Sequence, residues 1–234
     1  MEPLDFQRVI EQGRQLQACC ADLDAVAVGG TAAALHCAHR FSLDVDVVTP
    51  HLRARFDEVA ARLEAWPGWR TNRLNPPVLI LGEHDGVELG VRQLRRAVPL
   101  QTTVVEGLLI PTVAEMLRVK AFLVVERRAT RDFVDVAALG ERLGPVAAVA
   151  ALGWLNLLYP ARTSQSWAGR FAEACEGAPT DLALVPLTAY KGLGPPLNDW
   201  PFVAESCRRL GRTLLKQELA GLLPVRLPDD WPGA

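Results

Sequence analysis

Residues 24–50 read DAVAVGGTAAALHCAHRFSLDVDVVTP, and the fold follows from this stretch. Ala25 to Val28 is a short valine-rich run, the pattern of a strand, and Gly29-Gly30 break it where Thr31 opens an alanine-rich helix through about Ala38. Arg40 and Phe41 lead into Ser42-Leu43-Asp44-Val45-Asp46-Val47-Val48, in which polar and apolar residues alternate. Side chains on a strand point to alternate faces, so Asp44 and Asp46 share one face and Val45 and Val47 the other.

Two carboxylates on one strand face repel each other, which costs stability unless a cation lies between them. Their hard oxygen donors suit Mg²⁺ (or Mn²⁺), which is held by one or two carboxylates while phosphates and water fill its remaining positions. The glycine turn adds free backbone N–H groups at a helix start, where a phosphate approaches without steric hindrance. Together these features describe a nucleoside triphosphate held by metal and backbone, with Gly29, Gly30, Thr31 and Ser42 on the nucleotide side and Asp44 and Asp46 on the metal.

In the order strand, Gly-Gly-Thr, helix, Ser-x-Asp-x-Asp strand, the stretch resembles the signature of the nucleotidyltransferase superfamily with a DNA polymerase β-like core. GGTAAALHCAHRFSLDVDVVTP is most similar to the AbiEii/AbiGii toxin type, in which a Gly-Gly-Thr-Ala segment, a His-Arg pair and Ser-x-Asp-x-Asp recur in that order. The resemblance implies an α+β fold, a nucleotidyltransferase-like mixed sheet flanked by helices. It also implies a catalytic domain over 1–110 and a helical C-terminal domain over 111–234 that closes the nucleotide cleft. The implied reaction moves an NMP from an NTP to an acceptor hydroxyl. RNA is the expected acceptor, tRNA among the candidates, in a toxin-antitoxin or phage-defence context with a cognate antitoxin as partner.

The rest of the chain is compatible with this reading. At 234 residues, half of them apolar, the chain can bury a sizeable core. No segment has the pattern of a signal peptide or the length of a membrane span, so a cytoplasmic protein without membrane contact is expected. Five cysteines, without a Cys-x-x-Cys pair, suggest buried thiols rather than disulfides or a zinc ribbon. A net charge of −2 excludes wholesale attraction to nucleic acid, so a polynucleotide partner needs a local basic patch. Arg92, Arg95 and Arg96 form one such cluster in sequence; Arg118, Lys120, Arg127, Arg128 and Arg131 form another. A solvated helix face explains either equally well.

An amphipathic helix is expected over Asp5–Cys20 and a second over Leu52–Ala65, ended by Pro67-Gly68. Val78–Leu81 and Val87–Val91 flank Asp85-Gly86, a hairpin signal, with Glu88 facing opposite to Val87 and Leu89. The resembled superfamily takes a third acid from a strand beside Asp-x-Asp, which places Glu88 as third metal ligand and base, although aspartate is common there. Gln101–Ile110 is read as a last hairpin. Thr112-Val113-Ala114-Glu115 is a capping-box pattern that opens a helix to about Arg128, and Thr130 is the expected cap of the next.

Lys120 on the first of these helices and Arg131-Asp132-Phe133-Val134-Asp135 on the second resemble further family motifs. By that resemblance Lys120 contacts the triphosphate, while Asp132, or Asp135, orients the lysine or Arg131; an ordinary interhelix salt bridge is the competing reading. Three more helical stretches, near 146–158, 164–176 and 202–222, carry no catalytic constellation. Tyr190-Lys191 and Asn198-Asp199-Trp200 are candidates for base or acceptor contact, with a loop and a helix cap as the plainer account. His36, Cys37 and His39 lack the further ligands of a zinc site. Three other functions stay open: a non-catalytic nucleotide-binding module, an antibiotic-type transferase acting on a small hydroxylated molecule, and an NTP-dependent phosphotransferase.

Overall fold

The computed structural model describes residues 3–161 and 163–232, with side chains from Phe6 onward in the first helix. The described residues divide into a sheet unit, 1–35 with 41–111, and a helical unit, 36–40 with 112–234.

In the sheet unit, helix α1 (Pro3–Cys19) precedes strand β1 (Val26–Val28), helix α2 (Gly29–Cys37), strand β2 (Asp44–Thr49) and helix α3 (Phe56–Glu64). Strands β3 (Trp69–Asn75), β4 (Leu79–His84) and β5 (Val87–Gln93) complete a five-stranded sheet in the order β1-β2-β5-β4-β3. The sheet is mixed: β2 and β5 run parallel, and the other neighbours antiparallel. Strands β6 (Thr102–Val105) and β7 (Leu108–Pro111) form a separate hairpin.

The alternation expected over Ser42–Val48 is what fixes β2. Val45, Val47 and Thr49 are buried, while Asp44, Asp46 and Val48 lie half-buried on the other face. Helix α1 packs against β1, β2, β5 and β7, with Val9, Ile10 and Leu16 buried. Asp85 and Gly86 turn the β4–β5 hairpin, both at positive φ (52° and 75°), the conformation of a two-residue hairpin loop.

Several sequence expectations need correction. The second amphipathic helix starts at Phe56 rather than Leu52, residues 51–55 being a turn, and the stretch near 146–158 is two short helices broken at Gly153. Residues 69–75 form a strand where none was expected. Most of its positions from Arg70 on are exposed, so neither a buried run nor a two-residue alternation marks it. As the edge of the sheet it needs no second apolar face, and exposed Arg70 and Arg73 discourage pairing with another chain. Helix α2 starts at Gly29 rather than Thr31. The cap of the second C-terminal helix is not Thr130, as set out below.

In the helical unit, α4 (Val113–Arg127), α5 (Thr130–Leu143), α6 (Pro145–Leu152), α7 (Leu155–Leu158), α8 (Trp167–Glu176) and α9 (Trp200–Leu219) follow one another. The N-terminus of α4 is capped as expected, the Thr112 hydroxyl accepting from the Glu115 N–H at 3.3 Å. Ser166 caps α8 in the same way. Helix α5 has Ala129 at its N-cap and Thr130 inside the helix; the Asp181 carboxylate instead accepts from both the N–H and the hydroxyl of Thr130, at 2.7 Å each. A residue 51 positions away thus satisfies a helix-terminal donor that would otherwise be unpaired. Stacked Phe122 and Tyr159 (4.2 Å between centroids), with Trp167 beside them, anchor the core under α4. Cys20, Cys175 and Cys207 are buried thiols, and burial pushes Cys20 up to about 12. Among the described residues no helix is long and apolar enough to cross a membrane.

Candidate active site

In the sheet unit the parallel register sets Asp44 beside Glu88, Asp46 beside Gly90 and Val48 beside Arg92. Registered neighbours in a sheet share a face. The half-buried face of β2 therefore carries Asp44 and Asp46, and the matching face of β5 carries Glu88, Gly90 and Arg92. Glu88 is exposed between buried Val87 and Leu89, as its alternation required.

Each carboxylate of β2 is held locally. The Ser42 hydroxyl donates to Asp44 Oδ1 at 2.7 Å, and the Thr31 hydroxyl donates to the Asp44 carbonyl at 2.6 Å, which ties the start of α2 to the start of β2. Asp46 Oδ1 lies 2.8 Å from Arg92 Nε. It also overlies Gly90 so closely that a Cβ there would collide with it. Only glycine at 90 admits this carboxylate, and neither Gly90 nor Arg92 was singled out for this role by sequence. Gly29, at φ 78°, a conformation that favours glycine, brings the first backbone of α2 beside the Asp46 side chain. A glycine helix start, two carboxylates, an exposed third carboxylate and a guanidinium are thus assembled on one face.

This donor set fits a hard divalent cation: the oxygens are carboxylate, and the missing Cβ at Gly90 leaves Asp46 its place. Among the described residues no three His, Cys, Asp or Glu side chains are gathered closely enough to hold a metal by themselves. Two carboxylates with phosphate and water would complete the shell.

The expected C-terminal motifs are brought together elsewhere, inside the helical unit. Lys120 is 1% exposed, and its Nζ lies 2.6 Å from Asp135 Oδ2 and 3.4 Å from Asp132 Oδ1. Asp132 also accepts from Arg127 Nε and Nη2 at 2.5 and 2.8 Å. Asp135 accepts from Arg40 Nε and Nη2 at 2.8 and 2.9 Å, and lies 2.8 Å from His39 Nε2. Both aspartates are fully buried. Burial pushes the Asp135 carboxyl up, but the charges of Lys120 and Arg40 and the bonds from His39 and Arg40 outweigh it and hold the group well below 3.8.

The His-Arg pair and the Arg-Asp-x-x-Asp run therefore meet as one ion network, which matches the salt-bridge reading of Lys120. Arg131 is exposed beside this cluster, and Tyr190, half-buried, has the Arg40 guanidinium 5.9 Å from its ring centre. Asp199 stands at the N-cap of α9 without a capping bond.

No family model matches the sequence. A 70-residue stretch is 37% identical to the heme uptake protein MmpL11 of Mycobacterium tuberculosis, covering 28% of this chain and 7% of that protein's length. Three solved structures are similar over nearly the whole chain. JHP933 from Helicobacter pylori has a TM-score of 0.53 at 16% identity, over 93% of this chain and 95% of that one. A nucleotidyltransferase candidate from H. pylori has 0.53 at 17%, over 95% and 99%. MenT4, a nucleotidyltransferase toxin from M. tuberculosis H37Rv, has 0.50 at 15%, over 93% and 87%. The chain has the nucleotidyltransferase fold. These likenesses are of fold.

Proposed function

We propose that this protein transfers an NMP from an NTP to an acceptor hydroxyl, with Asp44, Asp46 and Glu88 as its carboxylates. The observation that carries the reading is the shared face of β2 and β5, on which Asp44 and Asp46 lie beside the Gly29-Gly30 helix start with Glu88 in register next to Asp44. Asp44 and Asp46 would hold the divalent cation, with phosphate and water completing its shell; when bound, the ion would offset the charge on the triphosphate. The backbone N–H groups at the start of α2 would donate to the phosphate oxygens, and the Ser42 hydroxyl keeps Asp44 oriented. Glu88, exposed on the Asp44 side, takes the proton of the acceptor hydroxyl. As the acceptor oxygen bonds to the α-phosphorus, the bond to the β-phosphate oxygen breaks and pyrophosphate leaves.

The acceptor we propose is RNA, tRNA among its candidates, in a toxin-antitoxin setting. Likeness of fold to the MenT4 toxin supports that setting. One observation favours a second reading, a nucleotide-binding module without catalysis: Asp46 is already paired with Arg92. Incubation of the purified protein with each α-labelled NTP, Mg²⁺ and total RNA decides between them. Label carried into RNA is expected; transfer of label only in a parallel reaction with γ-labelled NTP would point to phosphotransfer, and binding without turnover to the non-catalytic module.

A further inference from the structure

The ion pair of Arg92 with Asp46 has no part in the scheme above, and its geometry is unusual. Arg92 Nε is buried and 2.8 Å from Asp46 Oδ1, yet the contact lacks the alignment of a hydrogen bond. It is a contact of charges. The Arg92 side chain is 41% exposed, against 21% for Asp46, so its remaining N–H groups can reach an incoming ligand. The carboxylate it neutralises is also the one that Gly90 and Gly29 surround most closely.

Resting on the proposed function, we infer that Arg92 is a resident counter-ion of Asp46 that metal and triphosphate displace together. Without nucleotide, the guanidinium supplies the positive charge that the β2 carboxylates require. A divalent cation competes with it for Asp46 Oδ1. A triphosphate arriving at the start of α2 comes close to Asp46 and offers the guanidinium a better partner, because its planar fork matches phosphate oxygens. Arg92 then moves to the phosphates and leaves Asp46 to the cation. Binding of metal and of nucleotide is thereby coupled, and the coupling is reciprocal: each ligand tightens the other by the same factor. The protein would take up its metal with its substrate rather than before it.

The test is direct binding, with Mn²⁺ followed by electron paramagnetic resonance and calorimetry, alone and with the α,β-methylene analogue of each NTP. Arg92→Gln should bind Mn²⁺ about threefold to fivefold more tightly without nucleotide, the scale of a partly exposed ion pair. It should bind the analogue more weakly and lose most of the mutual tightening seen in the wild type. Arg92→Lys keeps the charge and should stay near the wild-type Mn²⁺ affinity, which guards against a fold defect in the glutamine variant. Mn²⁺ binding that depends on Asp46 yet is equal or weaker in Arg92→Gln overturns the counter-ion role and leaves the transferase reading standing. Absence of any Asp46-dependent Mn²⁺ binding, with nucleotide present, overturns both.

Discussion

The chain has two groups of acidic and basic residues that its sequence motifs single out together, and the structure treats them oppositely. On the β2–β5 face Asp44 and Asp46 are half-buried, Asp44 held by the Ser42 hydroxyl and Asp46 by Arg92, and Glu88 is exposed. In α4 and α5, Lys120, Asp132 and Asp135 are fully buried and satisfied by one another and by His39, Arg40 and Arg127. A charge that can be reached can bind a ligand. One withdrawn from water and already paired holds helices together, and removal of its partner leaves an uncompensated ion. The same residue types in neighbouring motifs thus separate by burial into an accessible set and a buried, mutually paired set.

That contrast is broken most easily at Asp44. Asp44→Asn should nearly abolish NMP transfer, because a lost metal ligand forfeits several kcal/mol of transition-state stabilisation. Its melting temperature should match the wild type, since Asp44 is only half-buried and its backbone bond from Thr31 is untouched. Glu88→Gln should lower transfer by about 10² to 10⁴, the cost of a general base, with nucleotide affinity little changed. Asp85→Asn is its control: Asp85 occupies the hairpin turn and pairs with Arg8, so the variant should transfer label at the wild-type rate.

The helical network should respond on the other axis. Asp135→Asn leaves Lys120 and Arg40 facing each other and should cost about 3–5 kcal/mol of stability, read as a shift in the urea midpoint. Because the folded carboxyl is held below 3.8, its contribution is complete above that value. It is lost as pH falls from there through the folded value. The wild type should therefore weaken on acidification below about pH 4 more steeply than Asp135→Asn. Asp181→Ala, which removes the remote cap of α5, should cost about 1 kcal/mol.

How much of this was legible in the sequence follows from distance along the chain. Gly29-Gly30 and Asp44-x-Asp46 are close enough for periodicity to give their faces, and the Asp85-Gly86 turn gave the hairpin that carries Glu88. The mixed fold and the cap at Thr112 were legible for the same local reason. Edge strand β3 was not, since WRTNRLN presents no buried face for a pattern to reveal. The Asp181 cap was not either, because the helix start it serves is 51 residues away. Gly90 looked like an ordinary strand residue, and Arg92 like a member of a basic cluster with Arg95 and Arg96, until the parallel register with β2 set them beside and beyond Asp46. A pairing of Lys120 with Asp132 or Asp135 was legible through the resembled motifs, but only packing shows that the lysine contacts both and is buried with them.

The division between a chemical and an architectural charge cluster is tested most directly by Asp46→Asn and Lys120→Ala in parallel, each measured for α-label transfer and for its urea midpoint. The account predicts that Asp46→Asn loses transfer and keeps the wild-type midpoint, while Lys120→Ala loses stability and, where folded, keeps its nucleotide affinity. Transfer at the wild-type rate by Asp46→Asn, or weakened nucleotide binding by a fully stable Lys120→Ala protein, would contradict it.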